Sequence, residues 1–331
     1  MKVFILSAYP PPHDFGAKWL IDWAARDRFG VHARVENPDE ADLIIFLEGH
    51  TAGDPYYLAV RNHPLRRRYP DRCFLYQDGD FAVPLMPGLY PALELQDRDP
   101  AYAVGAPYIA RITENPVRGP APATDAAEGF LYSFVGSTST DPVRHEIMKL
   151  AADERACCED TGTAHEWVLS PEERKVYLAR FSDVTSRSKF VICPRGASPS
   201  TYRLFETMEA GRVPVIVSDA FTPPEGPDWA TFSLRVAETE TQSIPALVRR
   251  HETAAVEMGA NARSAWEQWF APPVTFHRIT EACKEIMTRR APTGEAAALR
   301  LRYLRKFLTP FHLKMVYRLS RWKVQAFRSR R

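Results

Sequence analysis

The chain has 331 residues, enough for two domains of ordinary size, and its 45% hydrophobic and 25% charged residues exclude a disordered or fibrous protein. No apolar run approaches the roughly 20 residues that cross a bilayer. The net charge of +2 hides an asymmetry: residues 296–331 hold 11 Lys/Arg and no Asp/Glu, which leaves 32 basic against 41 acidic residues, a net of −9, in the rest.

In chain order, Lys2–Ser7 reads as a first strand, YPPPHDF at 9–15 as a loop, and Ala17–Arg28 as a helix with Trp19, Leu20 and Trp23 on its apolar face. Ala41–Glu48 and Cys73–Gln77 are buried strands, and Tyr108–Arg111 is expected as a short fourth. Strands separated by helical patterns indicate a doubly wound sheet, whose ligand crevice lies off the carboxyl ends of the strands. His13/Asp14, Glu48/His50 and Asp78/Asp80 fall at those ends. The Pro- and Ala-rich stretch 115–129 is the expected linker. Beyond it come a strand at 130–135, a polar loop Gly136–Thr140, and a helix with Arg144, His145 and Lys149, capped by Thr140 or Asp141. Cys73 and Cys193 are expected as core thiols and the Cys157-Cys158 pair as surface thiols. No CxxC pair occurs, so no zinc site is expected. Residues 242–290 are expected to be helical, with Trp266, Trp269 and Phe270 as packing residues.

The most informative run is 189–219. Lys189–Cys193 is a strand, Arg195–Ser200 a turn-rich loop, and Ser200 or Thr201 caps a helix that runs to Ala210 and stops at Gly211. Val213–Val217 is the next strand, so the unit is parallel. Amides at a helix start attract anions. Gly196 permits close backbone approach, Ser198, Ser200 and Thr201 add hydroxyls, and Arg195 and Arg203 flank the loop. Glu206 is placed to accept from ribose hydroxyls. Together these suit a nucleoside diphosphate, although neither GxxxxGK[ST] nor GxGxxG is present.

The run SKFVICPRG…STYRLFETMEAGRVPVIVSD resembles the signature of exostosin-type (GT47) glycosyltransferases, and LYSFVGS at 131–137, DPVRHEI with Arg144, and Trp229…Phe232-Ser233-Leu234 extend the resemblance over about 127–290. It implies a GT-B fold, two Rossmann-like doubly wound α/β domains facing a cleft, an acceptor-side domain at 1–122 and a nucleotide-sugar domain at 123–292; the alternation of apolar and basic residues marks 293–331 as a basic amphipathic tail. It implies inverting transfer from a nucleotide sugar, a UDP-sugar by resemblance, to a glycan or glycolipid acceptor in surface polysaccharide synthesis. The donor would be held by Gly136, Arg144, Arg195, Gly196, Ser198, Ser200, Thr201, Arg203 and Glu206. No cofactor and no metal are expected; Asp78-Gly79-Asp80 spells DxD but falls on the acceptor side. The general base is sought at strand ends of the first domain, with Asp80 and Asp14 ahead of His13 and Asp78. The tail reads as an anchor on anionic lipid and the chain as a bacterial-type cytoplasmic protein, peripheral on the inner membrane face, with no nucleic-acid partner. Two alternatives remain: a GT-B fucosyltransferase-like enzyme using a GDP-sugar, and a catalytically silent subunit that binds nucleotide sugar or membrane.

Overall fold

A computed structural model describes residues 1–49, 54, 56–109, 129–162 and 169–290. His50, the expected linker except Gly129, the boundary at 122/123 and the basic tail lie outside the described residues.

The first half forms one fully parallel sheet in the order β2-β1-β3-β4-β5-β6. Its strands are β1 (Lys2–Leu6), β2 (Ala33–Arg34), β3 (Leu43–Glu48), β4 (Cys73–Gln77), β5 (Gly88–Tyr90) and β6 (Ala103–Gly105). β3, LIIFLE, is buried at every position, as a strand covered on both faces must be. Helix α1 (Phe15–Ala25) lays Ala17, Leu20 and Trp23 on the sheet, a spacing of three that keeps them on one face. The short helices α2 (Leu58–Arg61) and α3 (Pro64–Arg68) lead into β4.

The second half forms another fully parallel sheet, β11-β10-β9-β7-β8. It comprises β7 (Phe130–Gly136), β8 (Ala156–Asp160), β9 (Ser188–Pro194), β10 (Val213–Val217) and β11 (Leu234–Arg235). Between them run α4 (Val143–Met148), α5 (Pro171–Ser186) and α6 (Tyr202–Glu209), followed by α7 (Ile244–Arg250), α8 (Ala255–Trp269) and α9 (Pro272–Arg289). The expected two-domain α/β architecture is therefore present, and 242–290 is helical as expected. In both sheets the first strand lies between the second and third in sequence. The topological switch points are thus β1/β3 and β7/β9, where crevices open at the carboxyl ends of the strands.

Two expectations need correction. Tyr108 and Ile109 are not a strand; the sheet ends instead in β5 and β6, three residues each, too short to show periodicity. Cys157 and Cys158 are not surface thiols: they sit in β8, where Cys157 is buried and Cys158 half-buried.

Several contacts tie the halves. Leu95 N donates to Ala220 O at 2.9 Å, beside an isolated bridge between Glu94 and Phe221. Helix α9 returns to the first sheet, where Phe276, Ile279, Cys283 and Ile286 join Val3, Ile5, Leu20 and Trp23 in one core cluster. Trp266, Trp269 and Phe270 pack with Phe205 and Trp229.

Candidate active site

The loop from Arg195 to Thr201 leaves β9 beside the end of β7, at the switch point of the second sheet. Arg144, on α4, spans this crevice and is itself buried. Its Nε donates to Arg195 O (2.8 Å), Nη1 to Ser137 O (2.9 Å) and Nη2 to Pro194 O (3.5 Å). Burial, with the charge of Arg203 second, pushes its pKa down to about 9. A Cβ at Gly196 would stand 3.2 Å from Arg144 Nη2, tighter than an ordinary contact, so the loop lies close over the guanidinium. Arg203 is buried too. It donates to Val135 O and lies over Phe134 (4.9 Å) and Phe181 (5.7 Å), in space that a side chain at Gly136 would occupy. Both arginines are thus built into the wall behind the loop. Arg195 is the one at the rim, 24% exposed and paired with Asp141 (3.1 Å) and Glu238 (3.5 Å).

Thr201 is extended at the N-cap of α6 and leaves its side chain out of the cap, while Gly196 N donates to Ser198 O at 3.1 Å. Glu206 is half-buried on α6. Among the described residues, Ser200 Oγ, Thr140 Oγ1, Ser218 Oγ and Arg203 Nε are buried without a hydrogen-bond partner. Such atoms are rare in folded proteins. These come from segments at the ends of β7, β9 and β10 and from the helix start between β9 and β10.

The facing wall is the carboxyl edge of the first sheet. Asp80 is exposed and accepts from Tyr108 Oη at 2.9 Å. Tyr108 Oη also lies 2.7 Å from Ser198 Oγ, and the Tyr108 ring stacks on Tyr202 with centroids 4.4 Å apart. Asp78 is buried and accepts from Ile109 N at 3.2 Å, so the two carboxylates of the DxD spelling have separate duties. Asp14 sits at the start of α1 and pairs with Lys18 at 2.8 Å; His13 lies in the turn before it. Glu48 closes the first switch point. It is fully buried, taking Ala8 N on Oε1 and Ser7 Oγ on Oε2, both at 2.7 Å. Burial pushes its pKa up to about 7.

The structure therefore gathers Gly136, Arg144, Arg203 and the 195–201 loop around one crevice, places Glu206 further along α6, and brings Asp80, but not Asp14, into a hydrogen-bonded path to that loop. Sequence reasoning missed Tyr108, whose partners are 28 and 90 residues away and leave no local signal. A cavity of about 570 Å³ lies elsewhere, on the flank between α9, the β5–β6 edge and Pro224–Gly226. Neither switch point opens into it.

Over residues 45–251 the chain matches the family model of the Exostosin GT47 domain. It is 32% identical over 92 residues to the Exostosin-1 homolog of Caenorhabditis elegans, covering 27% of this chain and 24% of that protein. It is 30% identical over 115 residues to a probable glucuronosyltransferase of Oryza sativa subsp. japonica, covering 33% of this chain and 26% of that protein. The chain thus matches about a quarter of the length of these curated relatives. Among solved structures, a glycosyltransferase from Rickettsia africae aligns with a TM-score of 0.47 at 11% identity, over 86% of this chain and 98% of that one. Anabaena HepE in complex with UDP aligns with a TM-score of 0.46 at 11% identity, over 86% and 100%.

Proposed function

The chain belongs to the exostosin GT47 family, and from that premise we propose that it is an inverting glycosyltransferase, moving a sugar from a nucleoside-diphosphate sugar to a glycan or lipid-linked glycan acceptor. The donor is a UDP-sugar. Relatives named as glucuronosyltransferases make a uronic acid the first sugar to try.

The observation that carries this reading is the set of buried, unpartnered hydroxyls of Ser200, Thr140 and Ser218 around the β7/β9 crevice. A diphosphate seated there accepts from these hydroxyls and from the amides at the start of α6. Arg195 meets it at the rim. Arg144 and Arg203 act from behind the loop, as fixed positive charges and as the brace that holds it. Glu206 takes the ribose. On the other wall Asp80 is the general base: it removes the proton of the acceptor hydroxyl, whose oxygen attacks the anomeric carbon from the face opposite the diphosphate. The carbon–oxygen bond to the diphosphate breaks with its electron pair, and the configuration inverts. Asp14 is the weaker candidate because Lys18 already holds it. The tail at 296–331, with 11 Lys/Arg and no Asp/Glu, serves as an anchor on anionic lipid, at about 1 kcal/mol for each basic residue at the surface.

Calorimetric titration of UDP, GDP and ADP into wild type, Ser200→Ala and Arg195→Ala tests the donor site. The expected result is micromolar binding of UDP, weakened about tenfold in each variant, as loss of a hydrogen bond to a charged ligand implies. Preference for GDP would favour the fucosyltransferase-like alternative. Binding without transfer across a broad acceptor panel would favour the silent subunit. A folded protein that binds none of the three overturns the assignment. Arg203→Ala is unsuitable here, because that side chain is part of the wall.

A further inference from the structure

We infer that Tyr108 is a positioning residue that couples Asp80, on the acceptor wall, to the conformation of the donor loop on the other domain. The inference rests on reading 195–206 as the donor site. Three contacts run in series: Asp80 Oδ1 to Tyr108 Oη (2.9 Å), Tyr108 Oη to Ser198 Oγ (2.7 Å), and Ser198 Oγ to Ser200 O (3.1 Å). The two middle residues are only 4% and 2% exposed, so the Tyr108–Ser198 link is shielded from solvent. Desolvation holds the Tyr108 phenol well above its ordinary pKa, so it keeps its hydrogen.

Counting hydrogens shows what the chain registers. Two hydroxyls carry two hydrogens for three contacts. With Asp80 ionised, Tyr108 donates to the carboxylate, the stronger acceptor. Ser198 must then choose between Tyr108 and the Ser200 carbonyl. Without that acceptor, Tyr108 turns to Ser198 and Ser198 gives its hydrogen to Ser200 O, so that both loop contacts are filled. The chain ends beside the unpartnered Ser200 hydroxyl at the start of α6. The stack of Tyr108 on Tyr202, the first residue of α6, is a second link between the same two places.

The test is amide hydrogen exchange in the full chain without ligand, on wild type, Tyr108→Phe, Asp80→Ala and Ser198→Ala. Tyr108→Phe keeps the ring and its stack, and Asp80 is exposed, so these substitutions spare the core. The expected result is exchange about tenfold faster at residues 196–201 in Tyr108→Phe and Ser198→Ala and slower in Asp80→Ala, where both loop contacts fill, with β10 still protected as the sign of an intact domain. Exchange at 196–201 that stays within twofold of wild type in Tyr108→Phe, or that quickens in Asp80→Ala, overturns the coupling. UDP titration separates the two ideas: no UDP binding with the coupling intact overturns only the donor reading, whereas normal UDP binding with an unmoved loop overturns only this one. A second readout is UDP release from UDP-glucuronic acid. Tyr108→Phe and Asp80→Ala should each lower kcat at least tenfold with donor KM within threefold, and the double variant should fall no further. Additive losses would mean that Tyr108 and Asp80 act separately, and would overturn the proposal.

Discussion

Glu48 gives the most direct pH test of the structure. Its carboxyl is fully buried at the first switch point, and burial raises its pKa from the ordinary 4.5 to about 7, with the Asp54 charge adding in the same direction and the Ala8 and Ser7 hydrogen bonds opposing. Glu48 in the folded protein therefore holds more proton than in the unfolded chain between those two values, and its contribution to stability falls as pH rises from 4.5 toward 7. At about 1.4 kcal/mol per pKa unit, the cost of keeping Glu48 ionised in the fold is about 3 kcal/mol above pH 7. Glu48→Gln removes the charge but not the contacts. Its amide oxygen can take Ala8 N, and its amide nitrogen can donate to Ser7 Oγ, whose own hydrogen then serves Tyr9 O at 3.2 Å. Urea melts of both proteins from pH 5 to 8.5 isolate Glu48, because every other titrating group is common to the two. The expected outcome is a stability difference that grows with pH in favour of the glutamine variant, reaching about 2–3 kcal/mol by pH 8. Parallel curves would show that Glu48 is not the desolvated group described.

Two further outcomes are expected. Gly226 has φ +120°, and a side chain there would run into the Trp269 ring, so Gly226→Ala combines backbone strain with overpacking. A loss of about 2–5 kcal/mol is expected in urea melts, and a loss below about 0.5 kcal/mol would contradict the packing at the α8–α9 junction. The tail is checked by co-sedimentation with vesicles. The full chain should pellet with phosphatidylserine-containing vesicles and not with neutral ones, the binding should fade as salt rises, and a chain ending at residue 290 should lose it. Equal binding by the shortened chain would remove the tail from that role.

The long central strands were legible because continuous apolar, β-branched runs admit little else: in the second sheet Val213–Val217 is a strand over the residues expected, and in the first Ala41–Glu48 differs from β3 by two residues. The stop of α6 at Gly211, with φ +67°, follows from local chemistry in the same way, whereas Thr201 takes the N-cap position without its hydroxyl capping the helix. What failed was direction. Arg144 and Arg203 were correctly placed beside the crevice, but a sequence shows a charge without showing which carbonyls will claim it. Those carbonyls, on Ser137, Pro194, Arg195 and Val135, belong to two different strands and their loops. Asp80 and Asp14 looked equivalent as strand-end carboxylates until Tyr108 reached one and Lys18 the other. The start of α5, by contrast, was legible and unused: Ser170 and Glu173 form a reciprocal capping box.

The return of α9 to the first sheet has a consequence for how the chain is made. Val3, Ile5, Leu20 and Trp23 emerge early in synthesis, but the cluster that covers them needs Phe276, Ile279, Cys283 and Ile286. The usual order, in which the N-terminal domain completes itself first, is therefore interrupted. The sheet built on β7 to β11 draws its covering residues from 130–270 and can close around its own core while the first sheet still waits for its last helix. A nascent chain paused before residue 272 exposes an apolar face that α9 later covers along its length.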